Sequence, residues 1–102
     1  MNRHPDRSSE LPSGLPVERM RNLGPASARM LRSIDVHTAD DLADIGALAA
    51  FIRLRAETTH SPSLNLLWAM EASLLDIDWR DLPPALMARR REQLGEPMGT
   101  DN

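Results

Sequence analysis

A chain of 102 residues, 41% hydrophobic but only 3% aromatic, holds enough apolar material for one modest core, built from Leu, Ala, Ile and Met, a mix that favours helix over sheet. The absence of cysteine excludes disulfides, thiolate chemistry and cysteine-type metal sites, and a net charge of −3 speaks against non-specific coating of nucleic acid. The first ten residues, MNRHPDRSSE, contain no apolar run, so neither a signal peptide nor a lipid anchor is expected, and the cytoplasm is the expected compartment.

In chain order, residues 1–14 are polar, rich in Pro and Ser, and read as a disordered arm. A single all-helical domain of five or six helices is expected over residues 15–95, followed by a frayed tail at 96–102. Pro16 can open a short helix with Val17 and Met20 inward, which stops at Asn22-Leu23-Gly24. Gly24 frees the turn, Pro25 is pre-set for the first position of the next helix, and Ala28, Leu31 and Ile34 line its inner face with Arg29 and Arg32 opposite. Thr38, three residues before Asp41, predicts a capping box for a helix carrying Leu42 and Ile45 inward. After Gly46, Ala47, Ala50, Phe51 and Leu54 form the stripe of a helix reaching about Glu57, with a loop over residues 58–62.

Ser61-Pro62-Ser63 supplies an N-cap for the most apolar stretch, SLNLLWAMEASLL. It is greasy on every side of a helical wheel, belongs at the centre of a bundle, and is too short to cross a membrane. Its two polar positions need partners if buried: Asn65 on the backbone of a neighbouring loop, Glu71 on an arginine such as Arg53, Arg55 or Arg80. DIDWRDL is a connector whose Trp79 is expected to cover one end of the core, as Trp68 fills it; an exposed Trp79 would instead mark a docking site. Pro83-Pro84 restarts a helix with Leu86, Met87 and Leu94 inward and Arg89, Arg90 and Arg91 near its negative end.

Charge is uneven along the chain. Residues 15–34 set Arg19, Arg21, Arg29 and Arg32 against Glu18, whereas residues 35–82 carry nine carboxylates against Arg53, Arg55 and Arg80. A basic patch on an acidic protein is either a docking face or a solvated helix surface. The segment MRNLGPASARMLRSIDVHTADDL, residues 20–42, looks like a helix–hairpin–helix element, whose tight turn presents backbone N–H groups at a helix N-terminus, where an oxyanion is the natural ligand.

Together, NLGPASARML, VHTADDL and SLNLLWAMEASL, in this order and at these spacings, resemble the C-terminal domain of the TfoX/Sxy family of DNA-transformation (competence) regulators over residues 17–94. The resemblance implies an all-helical domain related to the helix–hairpin–helix domains and to the C-terminal domain of the RNA polymerase alpha subunit. It also implies a bacterial regulatory role without catalysis. Two positions depart from the pattern. Asn22 stands where phosphate-gripping hairpins have a first Gly, and Asp35 stands where the family usually has Gly, either to repel phosphate or to cap a helix in the left-handed conformation.

The contact residues expected on this reading are Arg21, Asn22, Gly24, Arg29 and Arg32, with DNA or the transcription machinery as partner. A purely structural hairpin remains the other reading. The alternative function is a protein–protein adaptor that touches no nucleic acid, supported by the overall acidity, Asp35 and the run Arg89 to Arg91. No catalytic set, cofactor, metal site, small-molecule substrate or membrane contact is expected; His37 beside Asp40 and Asp41 lacks a second histidine and reads as part of a capping loop.

Overall fold

In the computed structural model, residues 14–57 and 62–95 are described. The expected arm, most of the 58–62 loop and the expected tail lie outside them. Five α-helices follow in order: α1 (Pro25–Ser33), α2 (Ala39–Ile45), α3 (Ala47–Glu57), α4 (Leu64–Leu75) and α5 (Pro84–Gln93), with 3-10 turns at Val17–Arg19 and Trp79–Asp81. Among the described residues the only strand-like feature is an isolated antiparallel bridge between Pro16 and Thr38. The all-α expectation holds.

The short helix expected at Pro16 is a 3-10 turn. Pro16 stands ahead of it as cap, and Met20 is already extended (ψ 147), which sends the chain into the hairpin. The bridge explains why this segment is ordered: Val17 N–H donates to His37 O at 3.0 Å and Ala39 N–H to Leu15 O at 2.7 Å. Val17 is thereby driven fully into the core, where Leu31 and Leu42 are also completely buried.

Helix ends are set by local chemistry. Helix α1 closes with a Schellman pattern in which Val36 N–H reaches Leu31 O at 2.9 Å and Asp35 N–H reaches Arg32 O at 3.0 Å. Asp35 takes the left-handed position, φ 70, so it does serve as the helix cap. Helix α2 opens with the expected capping box: Asp41 N–H donates to Thr38 Oγ1, while Asp41 Oδ2 accepts from the backbone N–H groups of Thr38 and His37. Gly46, at φ 88 and ψ 149, lets α2 pass straight into α3 through a conformation that a side chain would strain. Ser63 stands at the N-cap of α4 without making a side-chain cap.

Helix α4 is the centre of the bundle. Leu67, Trp68, Met70, Ala72 and Ser73 are buried in it, and it packs chiefly on α3, which carries Phe51 and Leu54, with α2 and the Trp79–Asp81 turn also against it. Three expectations about polar and aromatic groups are corrected. Glu71 is buried, but its arginine is Arg90 of α5, Nε to Oε2 2.5 Å, because Arg53 is taken by Glu57 and Arg80 by Asp78. Asn65 points to solvent. The arginine run of α5 does more than offset a helix dipole: Arg90 joins Glu71, and the Arg91 guanidinium stacks over Trp68 with 5.8 Å to the ring centroid. Those contacts matter because no residue of α5 is fully buried; Leu86, Met87 and Leu94 pack only partly against the core.

Candidate docking interface at the hairpin

The hairpin is built from Met20 to Gly24. Met20 and Leu23 are buried and anchor it, and Leu23 N–H donates to Met20 O at 3.1 Å. The left-handed step falls on Asn22 (φ 74), not on the glycine. Gly24 is extended (φ −124) and serves as the N-cap of α1 with no side-chain cap. A Cβ there would meet no atom within 4 Å, so the fold itself does not require glycine at this position.

What the hairpin does with its polar groups is unexpected from sequence. Asn22 Nδ2 donates to Ile77 O at 2.7 Å, and Asn22 Oδ1 accepts from Trp79 N–H at 3.2 Å. The side-chain amide thus acts like a short piece of strand, pairing with the connector that follows α4. Beside it, Arg21 Nη1 donates to Asp76 O at 3.0 Å. Asp76 ends α4 in the left-handed conformation (φ 57), so the Arg21 guanidinium sits at the negative end of the central helix.

The rest of the basic face is partly neutralised. Arg32 Nη1 lies 2.7 Å from Glu18 Oε1. The Glu18 carboxyl is held below the usual carboxylate range by its own backbone N–H and by Arg32. Asp78 receives the Nε and Nη2 of Arg80 as a fork at 3.1 and 3.0 Å, and this pairing, with the Arg80 backbone N–H, pushes its carboxyl down to about 2. Asp35 Oδ1 lies 3.1 Å from His37 Nε2 at the far end of α1. Arg29 is exposed on α1 and makes no hydrogen bond or ion pair among the described residues.

Of the five residues expected to make contacts, Arg21 and Asn22 are therefore drawn onto the connector, Arg32 is paired with Glu18, and Gly24 and Arg29 remain open on α1. Trp79 is corrected as well. It does not lid the core but stands 49% exposed beside Asn22. The spacing DIDWRDL gave no sign of this, because its exposure depends on where the hairpin holds its backbone. Among the described residues no three metal-ligating side chains come together, and no helix is long and apolar enough to cross a membrane.

The TfoX C-terminal domain family matches residues 16–97, from the bridge to just beyond α5. The chain belongs to this family. A crystal structure of an uncharacterised protein from Listeria monocytogenes superposes on this TfoX C-terminal domain with a TM-score of 0.71 at 22% identity, covering 79% of this chain and 96% of that one, a likeness of fold. No curated protein matches the chain. Within this TfoX C-terminal domain, the hairpin and the connector after α4 form one continuous surface, joined by the amide of Asn22.

Proposed function

We propose that this TfoX C-terminal domain is a non-catalytic regulatory module of the bacterial cytoplasm that binds a protein through the joint face of hairpin and connector. A component of the transcription machinery, acting in the control of DNA transformation, is the partner the family suggests. The observation that carries this reading is the commitment of the hairpin's polar groups. Arg21 and Asn22 hold the connector, Arg32 faces Glu18, and the connector brings Asp76, Asp78 and Asp81 to the face that a phosphate backbone would have to approach. On this surface Arg32 is paired with Glu18 and Arg80 with Asp78, Arg21 is held at a backbone carbonyl, and an exposed indole stands beside them, the composition of a protein interface rather than of a nucleic-acid groove.

Direct contact with nucleic acid is the second reading. It is favoured by one observation: Arg29 is unpaired on α1, the helix that Gly24 caps with no side chain to cover its N-terminus. Anisotropy of a labelled random-sequence duplex, titrated with the protein at two salt concentrations, separates the two. Protein docking predicts no binding that steepens at low salt. Salt-steep binding that disappears in the Arg29→Ala/Arg32→Ala variant, with helix content unchanged by circular dichroism, would give the face to nucleic acid instead.

A further inference from the structure

One side chain on the docking face is out of keeping with a solvated surface. Trp79 is 49% exposed, yet its backbone is fixed at both ends: its N–H is held by Asn22 Oδ1, and its carbonyl accepts from the N–H of Leu82, which is buried. The backbone here has little freedom left to lose when the indole is covered, and the indole itself turns about only two bonds, which is the property of an interface anchor. Leu75, 54% exposed, ends α4 immediately ahead of the same connector. Among the described residues, Ile52 of α3 is the other large apolar side chain left in solvent.

The charge around Trp79 says what would cover it. Arg21 is committed to the Asp76 carbonyl, and Arg80 is committed to Asp78. Asp76 and Asp81, three residues before and two after the tryptophan, are exposed, and their carboxylates accept no hydrogen bond among the described residues. Arg21 and Arg80 bring two positive charges against the three negative charges of Asp76, Asp78 and Asp81, so the balance around the tryptophan is negative by one.

The same chain shows internally what this combination accepts. On α4, Trp68 and Glu71 stand three residues apart and together receive Arg91 over the ring and Arg90 at the carboxylate. The connector also sets carboxylates close in sequence to an indole, Asp76 and Asp81 about Trp79, in solvent.

We propose that Trp79, flanked by Asp76 and Asp81, is the anchor for an arginine- or lysine-bearing segment of a protein partner. A cation over the indole face and a carboxylate beside it attract the same side chain, and the leucine at the end of α4 offers contact to its aliphatic stem. The inference rests on the protein-docking reading above and adds the chemistry of the partner.

A phage-displayed library of short random peptides, selected on the immobilised full chain, tests it. Each recovered peptide is measured again on Trp79→Ala and on the double variant Asp76→Asn/Asp81→Asn, with helix content checked by circular dichroism. Peptides that depend on Trp79 should be enriched in Arg and Lys over the starting library, and their affinity should fall about tenfold on either variant. Trp79-dependent peptides with no basic enrichment, or with unchanged affinity for the double variant, overturn the charge assignment while leaving protein docking standing. A selection that yields no Trp79-dependent peptide overturns the anchor itself, and salt-steep duplex binding alongside it overturns the reading beneath. If Trp79→Ala loses helix content, the double variant, altered only at exposed carboxylates, carries the comparison.

Discussion

Asn22 uses both ends of its side-chain amide on a segment 55 to 57 positions away and adopts φ 74 to do so. Asn22→Ala removes two hydrogen bonds at about 1 kcal/mol each and adds about 1 kcal/mol of left-handed strain, a loss of about 2–3 kcal/mol in urea unfolding. Asn22→Gly should lose less, because glycine relieves the strain without restoring the bonds; equal losses would show that the backbone conformation costs nothing. At this scale, what could be read from sequence was what is local. Thr38 and Asp41 satisfy each other within a single helical turn, so their spacing alone announced the capping box. Asp35 could be foreseen as a left-handed cap for the same reason. Asn22 could be recognised as tolerant of that conformation, but its partners lie on the far side of the chain, and nothing near it in sequence names Ile77 or Trp79.

Helix α5 depends on a few side chains of α4. It buries no residue completely, so Glu71 with Arg90 and Trp68 with Arg91 carry much of its attachment. Removing one member of the ion pair strands the other in a largely buried place. Glu71→Ala should cost about 2–3 kcal/mol, below the loss for a fully buried pair because the Arg90 side chain keeps 23% of its exposure. Glu71→Leu together with Arg90→Met should be neutral or stabilising, since a well-packed apolar pair carries no desolvation penalty. A double-mutant cycle measured by denaturant unfolding reads both, and additive losses would reject the coupling. The position and inward residues of α5 were legible from Pro83-Pro84 and from Leu86, Met87 and Leu94. The arginine belonging to Glu71 was not, because choosing among the candidates requires knowing which helix crosses α4 at that residue.

At the scale of the whole molecule, composition was enough to anticipate an all-helical domain, since a chain this poor in aromatic and β-branched residues has little with which to build a sheet. Which surface stays uncovered was not legible, because it emerges only when the hairpin and connector meet. The charge pattern also sets the response to acid. The carboxyls of Asp41, Asp78 and Glu18 are all lowered in the folded state: Asp41 chiefly by the His37 backbone N–H, Asp78 by Arg80, and Glu18 by its own backbone N–H and Arg32. A group lowered on folding adds stability that is fully present above its unfolded pKa, near 4, and is lost as pH falls through the folded value. Stability in urea should therefore be flat from about pH 8 to 5 and decline from about pH 4.5 toward pH 2, gently, because these groups face solvent. Asp78→Asn should make that decline shallower; an unchanged slope would show that the Arg80 fork contributes nothing to folding. The unequal placement of the two tryptophans has an optical consequence. Trp68 is sealed under Arg91, whereas Trp79 meets water across half its surface. Their emission should divide into a blue component that a collisional quencher barely reaches and a red one that it removes readily. The protein thus carries two intrinsic reporters, one for the seating of α5 and one for occupancy of the docking face, and replacing either tryptophan with phenylalanine leaves the other to be read alone.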